Sequence, residues 1–302
     1  FDASDFPFTH IMLDEEGKTT LIPGMNLMTV GTVRDGAKWP ARDKRADGFK
    51  RDRITFDVFS PFTVGKMIKS SAMMSELSAS TEKSVKTIFR KGIHISRPLL
   101  RTGVKYYRSG IDIYLLGKII DRLKTAKTLP DVCKAFAADK DAVYGEDWVD
   151  VGGQMMPSAR LNALHDAIAN GTLNTLDALN AELDSIRAAY DKDEWLWVRH
   201  AYKWQYKKSL DELTKDDLLA DLDNYVKTKA KYLRVVIADA KAEFDESNRQ
   251  GFGLDGGESA KDADLNAVRG SVENDKLAKQ KTAGLDLLEA ENKQLAETGA
   301  GW

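Results

Sequence analysis

Ser60-Pro61-Phe62-Thr63-Val64-Gly65-Lys66-Met67-Ile68 is where the chain changes its periodicity, and that change decides the fold. Ser60 has the side chain of a helix N-cap, and Pro61 suits the first helical position, where a backbone N–H is not needed. Val64, Met67, Ile68 and Ala72 then fall on one face at helical spacing. Downstream the helical pattern persists nearly to the end. Pro98 opens a segment in which Leu100, Val104, Tyr107, Ile111 and Ile119 recur as one stripe. Gly103, Gly110 and Gly117 weaken that helix intrinsically, so they point to the close approach of a neighbour.

Lys127-Thr128-Leu129-Pro130 starts a short helix carrying Cys133 and Phe136. Ser158 caps a helix that stops at Asn170-Gly171, and Thr175 caps the next, whose apolar face runs from Leu176 to Trp204. Thr214 with Asp217 opens a long helix along Leu218, Leu222, Tyr225, Leu233 and Val236. Two charged helices, about 259–269 and 271–296, finish the chain. The second has a thin stripe at Leu277, Leu285, Leu288 and Leu295 that suits packing on one surface. The expectation is a mainly α fold of about seven to nine helices following a short β-rich start.

Upstream of Ser60 the periodicity is different. Phe8 to Leu13 and Thr19 to Ile22 read as two short strands around the polar turn Asp14-Glu15-Glu16-Gly17-Lys18, and Val30-Gly31-Thr32-Val33 reads as a third. A β-branched stretch from Thr87 to Ile95 interrupts the helices and reads as extended. These patterns divide the chain into residues 1–57, short strands and a basic loop, and residues 58–302, an α-helical domain.

The basic loop is the segment best suited to an anionic ligand. Between Arg34 and Arg53 there are eight Lys or Arg against four Asp, a local balance of +4 in a chain of net charge -2, which leaves -6 for the rest. Arg34, Lys38, Arg42, Lys44 and Arg45 are candidates to surround a phosphate, with Trp39 stacking on a base or sugar ring. The plainer reading, a solvated junction in which Trp39 packs and the cations pair with Asp35, Asp43 and Asp47, is preferred. A second candidate is the stretch Tyr144 to Pro157, read as an irregular loop. Its Trp148, Asp150, Gly152 and Gly153 have the composition of a ligand-facing loop, and also of a plain connection.

Several chemistries are disfavoured. Cys133 is the single cysteine, which removes an internal disulfide and thiolate-rich metal sites, and it reads as a buried structural thiol. His10, His94, His165 and His200 are dispersed without metal-ligand spacing, so neither metal nor cofactor is expected. Glycines 251–257 lack the Lys-Ser/Thr ending of a phosphate loop and read as a hairpin between helices. The aromatic group Trp195, Trp197, Tyr202, Trp204 and Tyr206 reads as a helix wedged in the core rather than as a sugar platform. A pI near 6.2 and the negative remainder argue against nucleic acid as partner. No apolar run approaches the ~20 residues that span a bilayer, and the low cysteine use points to the cytoplasm. The chain begins at Phe1 without methionine and reads as part of a longer sequence.

Leu21-Ile22-Pro23-Gly24-Met25-Asn26-Leu27, Val30-Gly31-Thr32-Val33-Arg34-Asp35 and Lys38-Trp39-Pro40 through Arg45 carry a resemblance. It continues through Phe59 to Met67, Trp148 to Gly153, Asn170 to Leu173, Glu194 to Trp197 and Gly251-Phe252-Gly253. Together these blocks resemble the carboxy-terminal part of a family of large bacterial proteins, common in gut Bacteroidetes, catalogued as a domain of unknown function. The resemblance implies an absent upstream left-handed β-helix of hexapeptide repeats, abutting residues 1–57 and similar to sugar-nucleotide transferases. It further implies a homo-oligomer, a trimer by likeness to hexapeptide proteins, and a nucleotide-sugar or sugar-phosphate ligand. It assigns no catalytic residue and no reaction. The alternative is a non-catalytic scaffold or oligomerisation protein.

Overall fold

The computed structural model describes residues 5–34, 44–45, 52–55, 57–245, 247 and 256–299. It is mainly α, with nine α-helices among the described residues besides short helical turns. The strands are β1 (His10–Leu13), β2 (Thr19–Ile22), β3 (Thr87–Arg90), β4 (Ile93–Ser96), β5 (Trp148–Val151) and β6 (Gln154–Pro157). The helices are α1 (Pro61–Ser80), α2 (Leu100–Leu123), α3 (Leu129–Phe136), α4 (Ser158–Ala169), α5 (Leu176–Ala188), α6 (Tyr190–Tyr206), α7 (Lys215–Ala242), α8 (Gly257–Val268) and α9 (Lys276–Thr298).

Helix α1 starts where its sequence says it must. The Ser60 hydroxyl accepts from Thr63 N–H at 3.3 Å and the Thr63 hydroxyl accepts from Ser60 N–H at 3.0 Å, a reciprocal cap followed by Pro61. Helix α2 is the axis of the molecule. Tyr107, Ile111, Leu115, Leu116 and Ile119 are fully buried on it, and α1 and α7 pack against it. A Cβ on Gly103 would lie 2.5 Å from the Pro23 carbonyl oxygen, so the close approach expected of this glycine is real and involves backbone. Helix α9 lies along α7 and buries Leu277, Leu288 and Leu295.

The N-terminal strands do not form a separate layer. The sheet runs β1-β2-β4-β3, with β2 parallel to β4 (Leu21 opposite Ile95) and the other neighbours antiparallel. Leu21 and Ile95 face the helices and are buried, so this sheet joins residues on both sides of position 57.

Three local expectations change. Val30 to Val33 is not a strand: residues 30–34 form a helical turn whose first N–H, on Val30, donates to the Asp239 carboxylate of α7 at 2.6 Å. The apolar face from Leu176 to Trp204 belongs to two helices, α5 and α6. They part at Ala189, whose N–H is shared between the Ser185 and Arg187 carbonyls in a tightened last turn. Cys133 is exposed rather than buried, because α3 turns Val132 and Phe136 inward and leaves the thiol outside.

Candidate functional site

Trp148 to Pro157 is a β-hairpin, not an irregular loop. Val151 pairs with Gln154 around a two-residue turn, Gly152-Gly153, whose φ angles of 62° and 93° only glycine adopts easily. Asp150 accepts from Gly153 N–H at 2.6 Å and fixes the turn. Two glycines between two β-rich runs were the signal for it.

The chain that follows the basic loop crosses this hairpin. Thr55 N–H donates to the Gly153 carbonyl at 2.9 Å, and a Cβ on Gly153 would sit 2.8 Å from Ile54 Cγ1. Arg53, at the end of the basic stretch, reaches α5. Its Nε lies 2.6 Å from Asp184, and a terminal nitrogen donates to the Asn180 carbonyl at 3.2 Å. That hydrogen bond holds the Asp184 carboxyl below, and the Arg53 guanidinium above, their ordinary values. The residues that meet the hairpin at Gly153 are thus Ile54 and Thr55, which follow the basic stretch rather than belong to it.

Behind the hairpin lies a polar interior. Trp148 is 5% exposed and meets the Tyr190 ring edge to face, with centroids 5.3 Å apart. Trp148 Nε1 and the Tyr190 hydroxyl are both buried, and neither has a hydrogen-bond partner among the described residues. Burial, then the Glu194 and Asp57 charges, pushes the Tyr190 phenol up, so it stays protonated and can donate. From α2, the Tyr114 hydroxyl donates to Glu194 at 2.8 Å, and Lys118 Nζ meets the other Glu194 oxygen at 2.6 Å. Burial first and Glu194 second raise the Tyr114 phenol well above its usual range, and Asp57 adds to the effect. Beside them Asp193, 1% exposed, accepts from Val143 N–H at 2.7 Å and from Arg160 at 2.9 Å. Asp193 and Glu194 are thus fully engaged in structure.

Chemically this interior offers donors in excess. An indole N–H and a phenol lack acceptors, while Lys118 remains partly open to solvent with a side-chain exposure of 38%. Such a set suits a ligand rich in acceptor oxygens. No group of three or more His, Cys, Asp or Glu side chains able to hold a metal ion occurs among the described residues.

The remaining sequence candidates lie as follows. Arg34 pairs with Glu243 at 2.8 Å, and Arg269 shares that carboxylate at 3.1 Å. Arg45 pairs with Asp52, and Lys44 is exposed. Lys38, Trp39 and Arg42 lie outside the described residues, as do glycines 251 and 253. Beside the candidate Trp148, Asp147 pairs with Lys69 on α1. Sequence reasoning missed Tyr114 with Lys118 and Tyr190 with Glu194. Each pair is spaced i, i+4, which places it on one helix face, and that spacing was the available signal.

A hollow of about 200 Å³ between α2, α7 and α9, and a groove of about 930 Å³ on the outer face of the four-stranded sheet, are lined without unpartnered buried side-chain polar atoms. No helix among the described residues is long and apolar enough to cross a membrane.

Comparison with known proteins places these features in a family. Residues 1–78 match the model of a domain of unknown function (DUF4954), the part that supplies Ile54, Thr55 and Asp57. An uncharacterized protein of Treponema pallidum (strain Nichols) is 21% identical over 224 residues. That match covers 65% of this chain, and the chain spans only 30% of the relative's length. No solved structure matches. Residues 129–297, which contain the hairpin, Trp148, Tyr190 and Glu194, match the model of a second domain of unknown function (DUF6819), and because that match takes in more than half of the chain, the chain belongs to the DUF6819 family.

Proposed function

We propose that this chain is a ligand-binding helical module whose site lies behind the β5–β6 hairpin, and that it takes an acceptor-rich anion of the sugar-phosphate or nucleotide-sugar class. The observation that carries this reading is the pair of buried donors without a partner among the described residues, Trp148 Nε1 and the Tyr190 hydroxyl, on rings in contact. A buried donor without an acceptor costs about 1–3 kcal/mol, and such a cost is repaid when a ligand supplies the acceptor. The cationic stretch from Arg34 to Arg53 ends against the same hairpin, which favours an anion there. In this reading residues 1–57 are the junction with an upstream hexapeptide β-helix, residues 58–302 are the helical domain of a transferase-like bacterial protein, and the intact protein is a homo-oligomer, a trimer by resemblance.

The test is a thermal-shift series with inorganic phosphate, glucose 1-phosphate and UDP-glucose on the wild type, Trp148→Phe and Tyr190→Phe. Both substitutions remove a donor and keep a ring. The expected result is a rise in Tm with a sugar phosphate or nucleotide sugar that shrinks in each variant, since a ligand at a hundred times its Kd stabilises by about 2.7 kcal/mol. No shift with any of the three, or equal shifts in all three proteins, removes the reading.

A scaffold role is favoured by a different observation. Arg34, Arg45 and Arg53 are each paired with a carboxylate, Arg34 and Arg53 with the distant Glu243 and Asp184 and Arg45 with Asp52 of its own stretch, so these cations serve as structural ties. Under that reading Arg42→Ala and Arg45→Ala leave every ligand response unchanged.

A further inference from the structure

We propose that β1 is a self-association edge, a contact separate from any three-fold contact an upstream β-helix would make, at which two copies of the chain pair their β1 strands antiparallel about a two-fold axis through Met12. Among the described residues strand β1 has a single neighbour, β2, and is exposed along its whole length, with Ile11 at 52%, Met12 at 43% and Leu13 at 64%. Such an exposed apolar edge offers a row of backbone donors and acceptors to another strand.

Which groups it offers follows from the ladder. Asp14 N–H donates to the Lys18 carbonyl at 2.9 Å, so Asp14 is a hydrogen-bonded position of the β1–β2 pair. Alternation in an antiparallel ladder then turns the backbone groups of Met12 and His10 toward β2, opposite Thr20 and Ile22, and those of Ile11 and Leu13 outward. A second β1 must therefore bond to Ile11 and Leu13.

Three registers satisfy that condition and keep the faces of the joined sheets aligned. Centring on Ile11 sets His10 against Met12 of the second copy, and centring on Leu13 sets Ile11 against Glu15. Centring on Met12 sets Ile11 against Leu13, Met12 against itself and His10 against Asp14. This last register alone sets every apolar residue of the strand against an apolar one and an imidazole against a carboxylate, and it pairs the outward residues Ile11 and Leu13 with each other. Ile11 lies in the same row as Leu21 and Ile95, whose side chains face the core, so the pairing continues the core face of one sheet into the next. Asp14 is held for this in a fixed turn. Its carboxylate accepts from Glu16 and Lys18 N–H at 3.0 and 2.9 Å, and these bonds, with Lys18 first, keep it ionised.

The proposal predicts a specific cross-link. Facing non-hydrogen-bonded residues have Cα atoms about 4.5 Å apart, within the range a disulfide bridges. In a Cys133→Ser background, which removes the exposed native thiol, Met12→Cys is expected to form a reducible covalent dimer under mild oxidation, while Leu13→Cys, which faces Ile11 of the other copy, stays largely monomeric. Met12→Lys, which sets two ammonium groups opposite each other, is expected to shift the sedimentation of an otherwise unmodified chain from dimer to monomer. A monomer at every concentration overturns the proposal. So does equal cross-linking of the two cysteine variants, or a trimer in which Met12→Cys fails to cross-link, since a three-fold axis cannot bring Met12 onto itself.

Discussion

The Tyr206 hydroxyl donates to Asp112 at 2.6 Å, tying α6 to α2, and one turn away the Tyr202 hydroxyl donates to Asp221 of α7 at the same distance. The two phenol rings lie 4.6 Å apart, so three helices meet on one small polar cluster. Burial is the main cause that raises both carboxyls above their usual range. Tyr206, Asn224 and Arg108 partly offset it at Asp112, and Tyr202 and Lys208 do so at Asp221, where Asp217 and Asp112 add to the rise. A carboxyl raised in the folded state binds its proton more tightly there than in the unfolded chain, where its value is near 3.8. The stability these groups contribute is therefore fully present below that value and is lost as pH rises through the folded one. Asp112→Asn keeps an acceptor for Tyr206 and cannot ionise. Urea denaturation at pH 4 and pH 7 should find the variant gaining on the wild type at the higher pH, and a constant difference between them would contradict the assignment.

Gly153 and Gly152 share the hairpin turn and have opposite surroundings. Among the described residues nothing lies within 4 Å of where a Cβ on Gly152, at φ 62°, would sit, so Gly152→Ala should cost only the left-handed backbone penalty, about 1 kcal/mol. Gly153→Ala adds a contact with Ile54 and should cost about 2–4 kcal/mol. Ile54→Ala combined with Gly153→Ala should recover part of that loss in a double-mutant cycle. Additive losses would mean that segment 52–55 does not press on the hairpin.

The helices were legible because their determinants are local. Ser60 with Thr63, Thr128 with Asp131 and Thr214 with Asp217 all form reciprocal caps, as residues three apart can when the spacing is right. The parallel pairing of Leu21 with Ile95 was not legible, since it depends on α1 carrying the chain back, and no short-range pattern encodes a partner that distant. At the site, Trp148 and Gly153 stood out by composition alone. The significance of Trp148 is that its N–H has no acceptor, which is a property of the packed interior and absent from any spacing. Conversely, the charge of the basic loop was plain, and the carboxylates that pair with Arg34 and Arg53, Glu243 and Asp184, lie far along the chain.

Gly103 and Gly117 on α2 make a second contrast. The neighbour of Gly103 is the Pro23 carbonyl at 2.5 Å, which cannot move without shifting the chain after β2, so Gly103→Ala should destabilise by about 2–3 kcal/mol despite its better helix propensity. The neighbour of Gly117 is the edge of the Tyr225 ring at 3.2 Å, part of a side chain that can turn. Gly117→Ala should fall within about 1 kcal/mol of the wild type, with the propensity gain offsetting a small shift. Thermal unfolding of the two variants measures the difference directly, and equal losses would place the close approach at the wrong glycine.

Glu194 is the carboxylate on which the polar interior turns, because it accepts from Tyr114 and Lys118 at once while only 7% of its side chain is exposed. Glu194→Gln keeps an acceptor for Tyr114 but sets an amide donor against the Lys118 ammonium, and should cost about 2–3 kcal/mol, the range for a hydrogen bond to a charged group. Lys118→Met on top of it removes the mismatched cation, so the double variant should be more stable than Glu194→Gln alone, because the cost of a broken pair lies in the uncompensated charge it leaves. Chemical denaturation of the four proteins decides the point. A double variant less stable than Glu194→Gln would mean that Lys118 holds its place through its contact with the Tyr114 ring, 5.6 Å from the ammonium, rather than through the carboxylate.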